Sequence, residues 1–408
     1  MDNHKSKIEN PESTFLKNVG KLVTANDGGV QTIEKSSILI KNGKIAAIGE
    51  GDADHVIDCG GKMVTAGFVD SHTHPVFYNK RDEEYATRLA GASYEEIAKK
   101  GGGIVSSVDG VRNASKADLV EKVKPRMDRF IAMGTTTVEA KSGYGLDTAT
   151  ELKSLEVIEE LNQSHPMDLV PTFMGGHAFP KEFEDDCDGY VDLICNEMIP
   201  AVADQGIAVF NDVFCEEGYF TVEQTKRILK TGKKFGLKPR IHADEFVDSG
   251  AAGLAGEVGA FSADHLMAVS DVGMNELAAN HVVATLLPGT TFFLGKSTYA
   301  PARKLIDTGI TVALATDFNP GSCHIQSMPF IMTLACMHLS MTIEETYQAA
   351  TYHGAKALGL ENEIGSIDIG KKADLVVWNL DSLLDIPYHV SNHSIQKVIK
   401  SGNVIFGT

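Results

Sequence analysis

Apolar, strand-like runs recur eight times along this chain, and helix-like segments separate most of them. The runs are Met63–Val69, Thr135–Ala140, Leu169–Met174, Ile207–Phe214, Pro239–Ala243, Ser262–Leu266, Val282–Leu287 and Thr311–Ala315. Thr221 with Gln224 three residues later is a capping-box signature and predicts a helix running to Phe235. Ser115 with Asp118 is a weaker version, opening a helix that ends at Gly134. Pro125 inside it predicts a kink or a division, because proline supplies no N–H to the helix. Leu152, Leu155, Ile158 and Leu161 mark an apolar face at helical spacing. Repeating strand–helix units imply a parallel sheet. Eight of them over roughly 300 residues predict an α/β fold closed into a (β/α)8 TIM barrel.

The two ends of the chain have a different texture. Ser37–Lys41 and Lys44–Ile48 read as short strands flanking Asn42-Gly43, a strong hairpin signal because both turn positions accept positive φ. Near the other end, Ala373–Trp378 and Gln396–Lys400 are strand-like, and Ser401-Gly402-Asn403 turns the chain into Val404–Phe406. Both termini are expected to build one small β-sandwich domain. The expected boundaries are 1–66 and 366–408 for its two parts and 67–365 for the barrel.

Composition narrows the class. A chain of 408 residues with 43% hydrophobic and 23% charged residues can bury an ample core. A formal net charge of -18 argues against nucleic acid or an anionic membrane as partner. The six cysteines have no regular spacing and form no Cys-x-x-Cys pair, so free thiols in a reducing cytoplasm are expected. Met1 to Ser13 is polar, without the apolar stretch of a signal peptide, and no run is long enough to cross a bilayer.

The chemistry sits at the ends of the strand runs. His72 and His74 follow the first; an extended chain turns alternate side chains to one face, so both imidazoles point the same way. His242 falls near the end of the fifth run, His265 of the sixth, and Asp317 just past the eighth. A lone His-x-His is weak, and Asp-Phe-Asn-Pro-Gly alone reads as a turn or helix cap. All five residues, however, occupy the C-terminal strand ends, where active sites of such barrels form. We assign His72, His74, His242 and Asp317 as ligands of one divalent metal, which leaves room for water. Bound water in such a site can fall in pKa to about 7. His265 is then a catalytic non-ligand facing the nucleophile or the developing oxyanion. Glu245, three residues after His242, is placed to carry a proton from water to a leaving nitrogen.

This plan resembles the amidohydrolase superfamily. The similar stretches are Val69–Phe77, Arg88–Ile97, Gly101–Ile104, Glu139–Leu146, Ile241–Phe246 and Thr316–Ser322, which together span the barrel. The Lys-Ser-Gly-Tyr-Gly run at 141–145 and the segment after His74 are specific to the branch that opens the imidazolone ring in histidine degradation. Tyr78-Asn79-Lys80 is the part that matches least. By this resemblance the substrate is 4-imidazolone-5-propanoate and the product N-formimidoyl-L-glutamate.

The resemblance also implies substrate contacts. The propanoate anion needs a local cation in so acidic a chain, and Arg81 can grip a carboxylate bidentately. Tyr144, His177 and Glu245 would add polar contacts, with Gly143 and Gly145 permitting close backbone approach. Asn319, Gly321 and Ser322 would bind the amino-acid end of the product. Two-metal relatives often carry a modified lysine at the end of the fourth strand. That run here reads Phe210-Asn211-Asp212-Val213-Phe214, so a single ion is expected, zinc or iron. A homodimer is expected from the family. The competing readings are a cytosine- or guanine-type deaminase, whose neutral base needs no Arg81, and a non-catalytic barrel scaffold.

Overall fold

A computed structural model describes residues 12–92, 96–97, 101–390 and 394–407. Most of the polar start (Met1 to Ser13), and Ser93, Tyr94 and Glu95 of the Arg88–Ile97 stretch, lie outside the described residues.

Five strands open the chain: β1 (Ser13–Asn26), β2 (Gly29–Lys41), β3 (Lys44–Ile48), β4 (His55–Asp58) and β5 (Met63–Ala66). Eight more follow: β6 (Phe68–Asp70), β7 (Thr135–Lys141), β8 (Asp168–Gly176), β9 (Phe210–Cys215), β10 (Lys238–Ala243), β11 (Ser262–His265), β12 (Val283–Leu286) and β13 (Val312–Leu314). The last are β14 (Leu375–Trp378), β15 (Ile395–Lys400) and β16 (Asn403–Phe406).

The terminal strands join into one hydrogen-bonded sheet in the order β16-β15-β14-β5-β1-β2-β3, with β4 beside β1. β5 unites the ends, running parallel to β1 and antiparallel to β14. Leu16, Leu22, Ile38, Val64, Leu375 and Ile399 form its core, none of them accessible to solvent. Asn42 and Gly43 take φ of 51° and 74°, as the hairpin turn requires. β2, with 13 residues, extends well before the expected Ser37–Lys41, and β1, with 14, is not among the expected strands. A register shift between Leu16 and Val19 lets β1 continue past a local irregularity.

The barrel strands stand in chain order, β6 to β13, each parallel to the next. One expected strand is two. Met63–Val69 is divided at Gly67: β5 belongs to the terminal sheet and β6 to the barrel. Gly67 N–H donates to Asp374 O at 2.9 Å, whereas Phe68 N–H donates to Gly134 O at 3.0 Å. A Cβ on Gly67 would stand 2.4 Å from the Thr136 side chain, so only glycine lets the chain pass from one sheet to the other there. Pro125 does not divide its helix, which runs unbroken over Lys116–Ala132 from a Ser115–Asp118 capping box. Leu119, Val123, Met127 and Phe130 bury one face of that helix and hold both halves on the same core.

Between β13 and β6 the barrel closes without a regular ladder. A single bridge pairs Thr73 with Phe318. Asp317 N–H donates to His72 O at 3.1 Å, and His74 N–H to Phe318 O at 2.8 Å. Thr316 N–H and hydroxyl both donate to the buried Asp70 carboxylate. The seam of the barrel is therefore made by the backbone of the candidate metal ligands.

Candidate metal centre

His72 and His74 lie in extended chain just beyond β6, and Thr73 between them faces the other way. Its hydroxyl donates to Glu139 O and its N–H to Glu139 Oε2. His242 is the penultimate residue of β10, His265 the last of β11, and Asp317 follows β13 by three positions. The backbone departs from ordinary conformations here: Asp317, Asp244 and His265 take φ of 54°, 50° and 80°. Left-handed non-glycine residues cost about 1–3 kcal/mol each and persist where their surroundings over-determine them.

Four donor atoms converge. His74 Nε2 is 3.3 Å from His72 Nε2 and 3.4 Å from His242 Nε2. Asp317 Oδ1 is 3.5 Å from the Nε2 of both His72 and His74. Metal–ligand bonds of about 2.0–2.2 Å in a tetrahedron put donors roughly 3.3–3.6 Å apart. The protonation state agrees with this spacing. His72 Nδ1 is 2.7 Å from Asp264 Oδ2 and His242 Nδ1 is 3.1 Å from Asp212 Oδ1. An ionised carboxylate only accepts, so each Nδ1 holds the proton and each Nε2 keeps a bare lone pair. Burial, with the positive Lys141 nearby for His72 and His177 for His74, holds both imidazoles well below the usual histidine range. Buried lone pairs facing one another at van der Waals distance are stable around a cation, and the N₃O donor set suits a divalent metal. His265 also lies within reach of His72 and His242. Its Nε2, however, faces Glu245 Oε2 at 3.6 Å.

Beneath the donors lies a buried layer of charge that sequence reading missed. Lys141 Nζ is 2.8 Å from Glu139 Oε1 and 2.7 Å from Asp212 Oδ2. Arg240 Nη2 is 3.1 Å from Asp264 Oδ2 and donates to Ser71 O at 2.7 Å. All five side chains are inaccessible to solvent. One signal could have flagged Asp212: a charge inside a fully buried, mostly apolar run needs a partner.

Above the donors opens a small cavity of about 40 Å³ whose lining includes Arg81, Tyr144, His177, Glu245, His265, Asn319 and Ser322. Phe214, Phe246, Leu294 and Ile104 supply an apolar wall that the sequence reading did not pick out. Arg81 is buried, with Nε and Nη2 both 2.9 Å from Glu84 Oε2. Gly321 is what admits it: a Cβ there would stand 2.2 Å from the guanidinium carbon. Gly143 does the same for His177, whose Nδ1 donates to Gly143 O at 2.8 Å, leaving Nε2 as an acceptor. Burial, then the nearby His242, pushes the His177 pKa down to about 3. Gly145 packs its Cα against Thr150 and Glu151, and the buried Glu151 carboxylate gathers the N–H groups of Gly143, Gly145 and Leu146. Asn319 spends its side chain on its own loop, accepting from Gly321, Ser322 and Cys323 N–H and donating to Asp317 O and Ser322 Oγ. Burial, then the Asp317 charge, holds the Glu245 carboxyl well above the usual range. Burial likewise raises Asp317 to about 6, against the hydrogen bond from Thr290.

The profile of the amidohydrolase family matches residues 63–405. An imidazolonepropionase from Alkaliphilus metalliredigens is 48% identical over 92% of this chain and 91% of its own length. One from Geobacillus sp. (strain WCH70) is 46% identical over 96% of this chain and 97% of its own. Among solved structures, a triazine hydrolase variant superposes with a TM-score of 0.77 at 16% identity, covering 97% of this chain and 95% of that one. A guanine deaminase from C. acetobutylicum with bound guanine gives 0.71 at 19% identity, over 97% and 100%. At these identities the two structures speak for the fold.

Proposed function

This chain belongs to the amidohydrolase family, and from that premise we propose that it hydrolyses 4-imidazolone-5-propanoate to N-formimidoyl-L-glutamate. The observation that carries this reading is the 46–48% identity, along nearly the whole chain, to relatives named imidazolonepropionase. The substrate is a small molecule.

His72, His74, His242 and Asp317 would hold one divalent ion, zinc or iron. When bound, such an ion acidifies water and polarises the ring carbonyl. The side chains do the rest. Glu245 takes a proton from the attacking water and delivers it to the ring nitrogen as the C–N bond breaks. The water oxygen stays on the former carbonyl carbon, which becomes the carboxylate. His265 donates a hydrogen bond to the negative oxygen of the tetrahedral intermediate. Arg81 pairs with the propanoate, while Tyr144 and His177 hold the ring against the apolar wall. Asn319, Gly321 and Ser322 line the amino-acid end, Asn319 chiefly by shaping their loop.

A guanine-type deaminase would use the same ligands and the same glutamate. Its neutral base would make no use of the guanidinium of Arg81 at the cavity wall, whereas an anionic substrate would share that cation with Glu84. Among the described residues no helix is long and apolar enough to cross a membrane. Six free cysteines accord with a reducing cytoplasm, and a homodimer is the assembly we propose.

The test is loss of absorbance from freshly prepared 4-imidazolone-5-propanoate. The reading requires turnover that chelator abolishes and added metal restores. No turnover of that substrate by metal-loaded protein, with deamination of guanine or cytosine instead, would replace it by the deaminase reading.

A further inference from the structure

The buried Lys141 is not among the residues that line the cavity, yet it spans the two halves of the metal centre. On one side its ammonium is 2.8 Å from Glu139 Oε1, while Glu139 Oε2 accepts the N–H of Thr73, the residue between His72 and His74. On the other it is 2.7 Å from Asp212 Oδ2, while Asp212 Oδ1 faces His242 Nδ1. Lys141 N–H also donates to Thr73 O at 3.1 Å, so backbone and side chain grip the same short segment. One cation thus fixes, through two carboxylates, ligands from β6 and β10.

The neighbouring carboxylates sharpen the point. His72, Asp212 and Asp264 form a second grouping with spacing fit for a cation. Lys141 already neutralises Asp212, and Arg240 already neutralises Asp264. Burial would lower the lysine pKa, but Asp212 and Glu139 more than offset it and hold it above the ordinary value. The ammonium therefore stays charged, with no lone pair to offer and hydrogen bonds to both carboxylates, and it cannot itself be a ligand.

We infer that Lys141 is a positioning residue that sets metal affinity, holding the His72–His74 segment and His242 at ligand spacing through Glu139 and Asp212 and occupying with its charge the ground a second ion would need. The inference rests on the four-ligand reading of the centre. Groups that orient metal-binding histidines typically change affinity by about 10–100-fold when removed.

The experiment is metal titration of metal-free protein by calorimetry, with zinc as the probe, on the wild type, Lys141→Met, Asp212→Asn and the double variant. Unfolding of each metal-free protein is recorded beside it. Wild type should bind one zinc tightly. Lys141→Met should bind about 10–100-fold more weakly. In the Asp212→Asn background, adding Lys141→Met should change affinity less than it does alone, because the arm that runs through Asp212 to His242 is already uncharged and only the arm through Glu139 remains. A loss caused only by general loosening would instead repeat in both backgrounds and track the unfolding temperature, which would overturn the inference. So would unchanged affinity in Lys141→Met. Should that variant not fold, Lys141→Gln, which keeps N–H donors without the charge, carries the same test. Failure of the wild type to bind zinc or iron at all would overturn the four-ligand reading instead.

Discussion

The terminal sheet and the barrel mouth are built by opposite rules. In the sheet, Leu16, Leu22, Ile38 and Leu375 are buried among their own kind, and positive φ falls at turns such as Asn42-Gly43 and Ser401-Gly402 and at Asn18 and Lys35, near the shift in β1–β2 register. Local propensity and tertiary packing agree over most of it. At the mouth, imidazole lone pairs face one another, Lys141 and Arg240 are buried as charges, and His265 and Asp317 carry left-handed backbone. Each of these costs stability unless something binds or reacts there. The contrast teaches that the sheet serves the fold, whereas the mouth is held in a costly arrangement by the fold around it.

Substitutions should separate the two regions. The largest effect is expected from Glu245→Gln, which keeps size and removes the proton carrier. Steady-state kinetics should show kcat lowered by about 10²–10⁴-fold, with metal content and unfolding temperature unchanged. Near-normal kcat would take Glu245 out of the proton path. Leu22→Ala should do the reverse: denaturant unfolding should show a loss of about 2–5 kcal/mol, with kcat near wild type. If kcat fell and stability held, the division of labour drawn here would fail. Arg81→Ala should weaken substrate by about 1.5–3 kcal/mol, read as a raised KM, since a charged hydrogen-bonded partner is lost. Unchanged kcat and KM would remove Arg81 from the site. The smallest effect is expected from Gly43→Ala. A side chain in left-handed backbone costs about 1–2 kcal/mol, visible as a lower unfolding temperature with no change in kinetics.

The same contrast decides what could be read without coordinates. The barrel strands announced themselves through apolar runs, and the Asn42-Gly43 turn through its chemistry. The meeting of His72, His74, His242 and Asp317 was legible because they sit at strand ends, where the architecture itself directs attention. The charge layer beneath them was not. Asp212 pairs with Lys141 across 71 positions and Asp264 with His72 across 192, and no local pattern encodes such a partnership. Glu151 was hidden for a similar reason: it lies in a helix with an apolar stripe, yet it serves the loop before that helix. The split at Gly67 escaped because both sides of it are apolar and extended. Only the positions of Asp374 and Gly134, far along the chain, decide which sheet each side joins.

Metal content and turnover, followed together through chelation and reloading, test the central claim most directly. One divalent ion per chain, with activity lost on its removal and regained with its return, is the expected result. Full turnover of 4-imidazolone-5-propanoate by protein stripped of metal would contradict it.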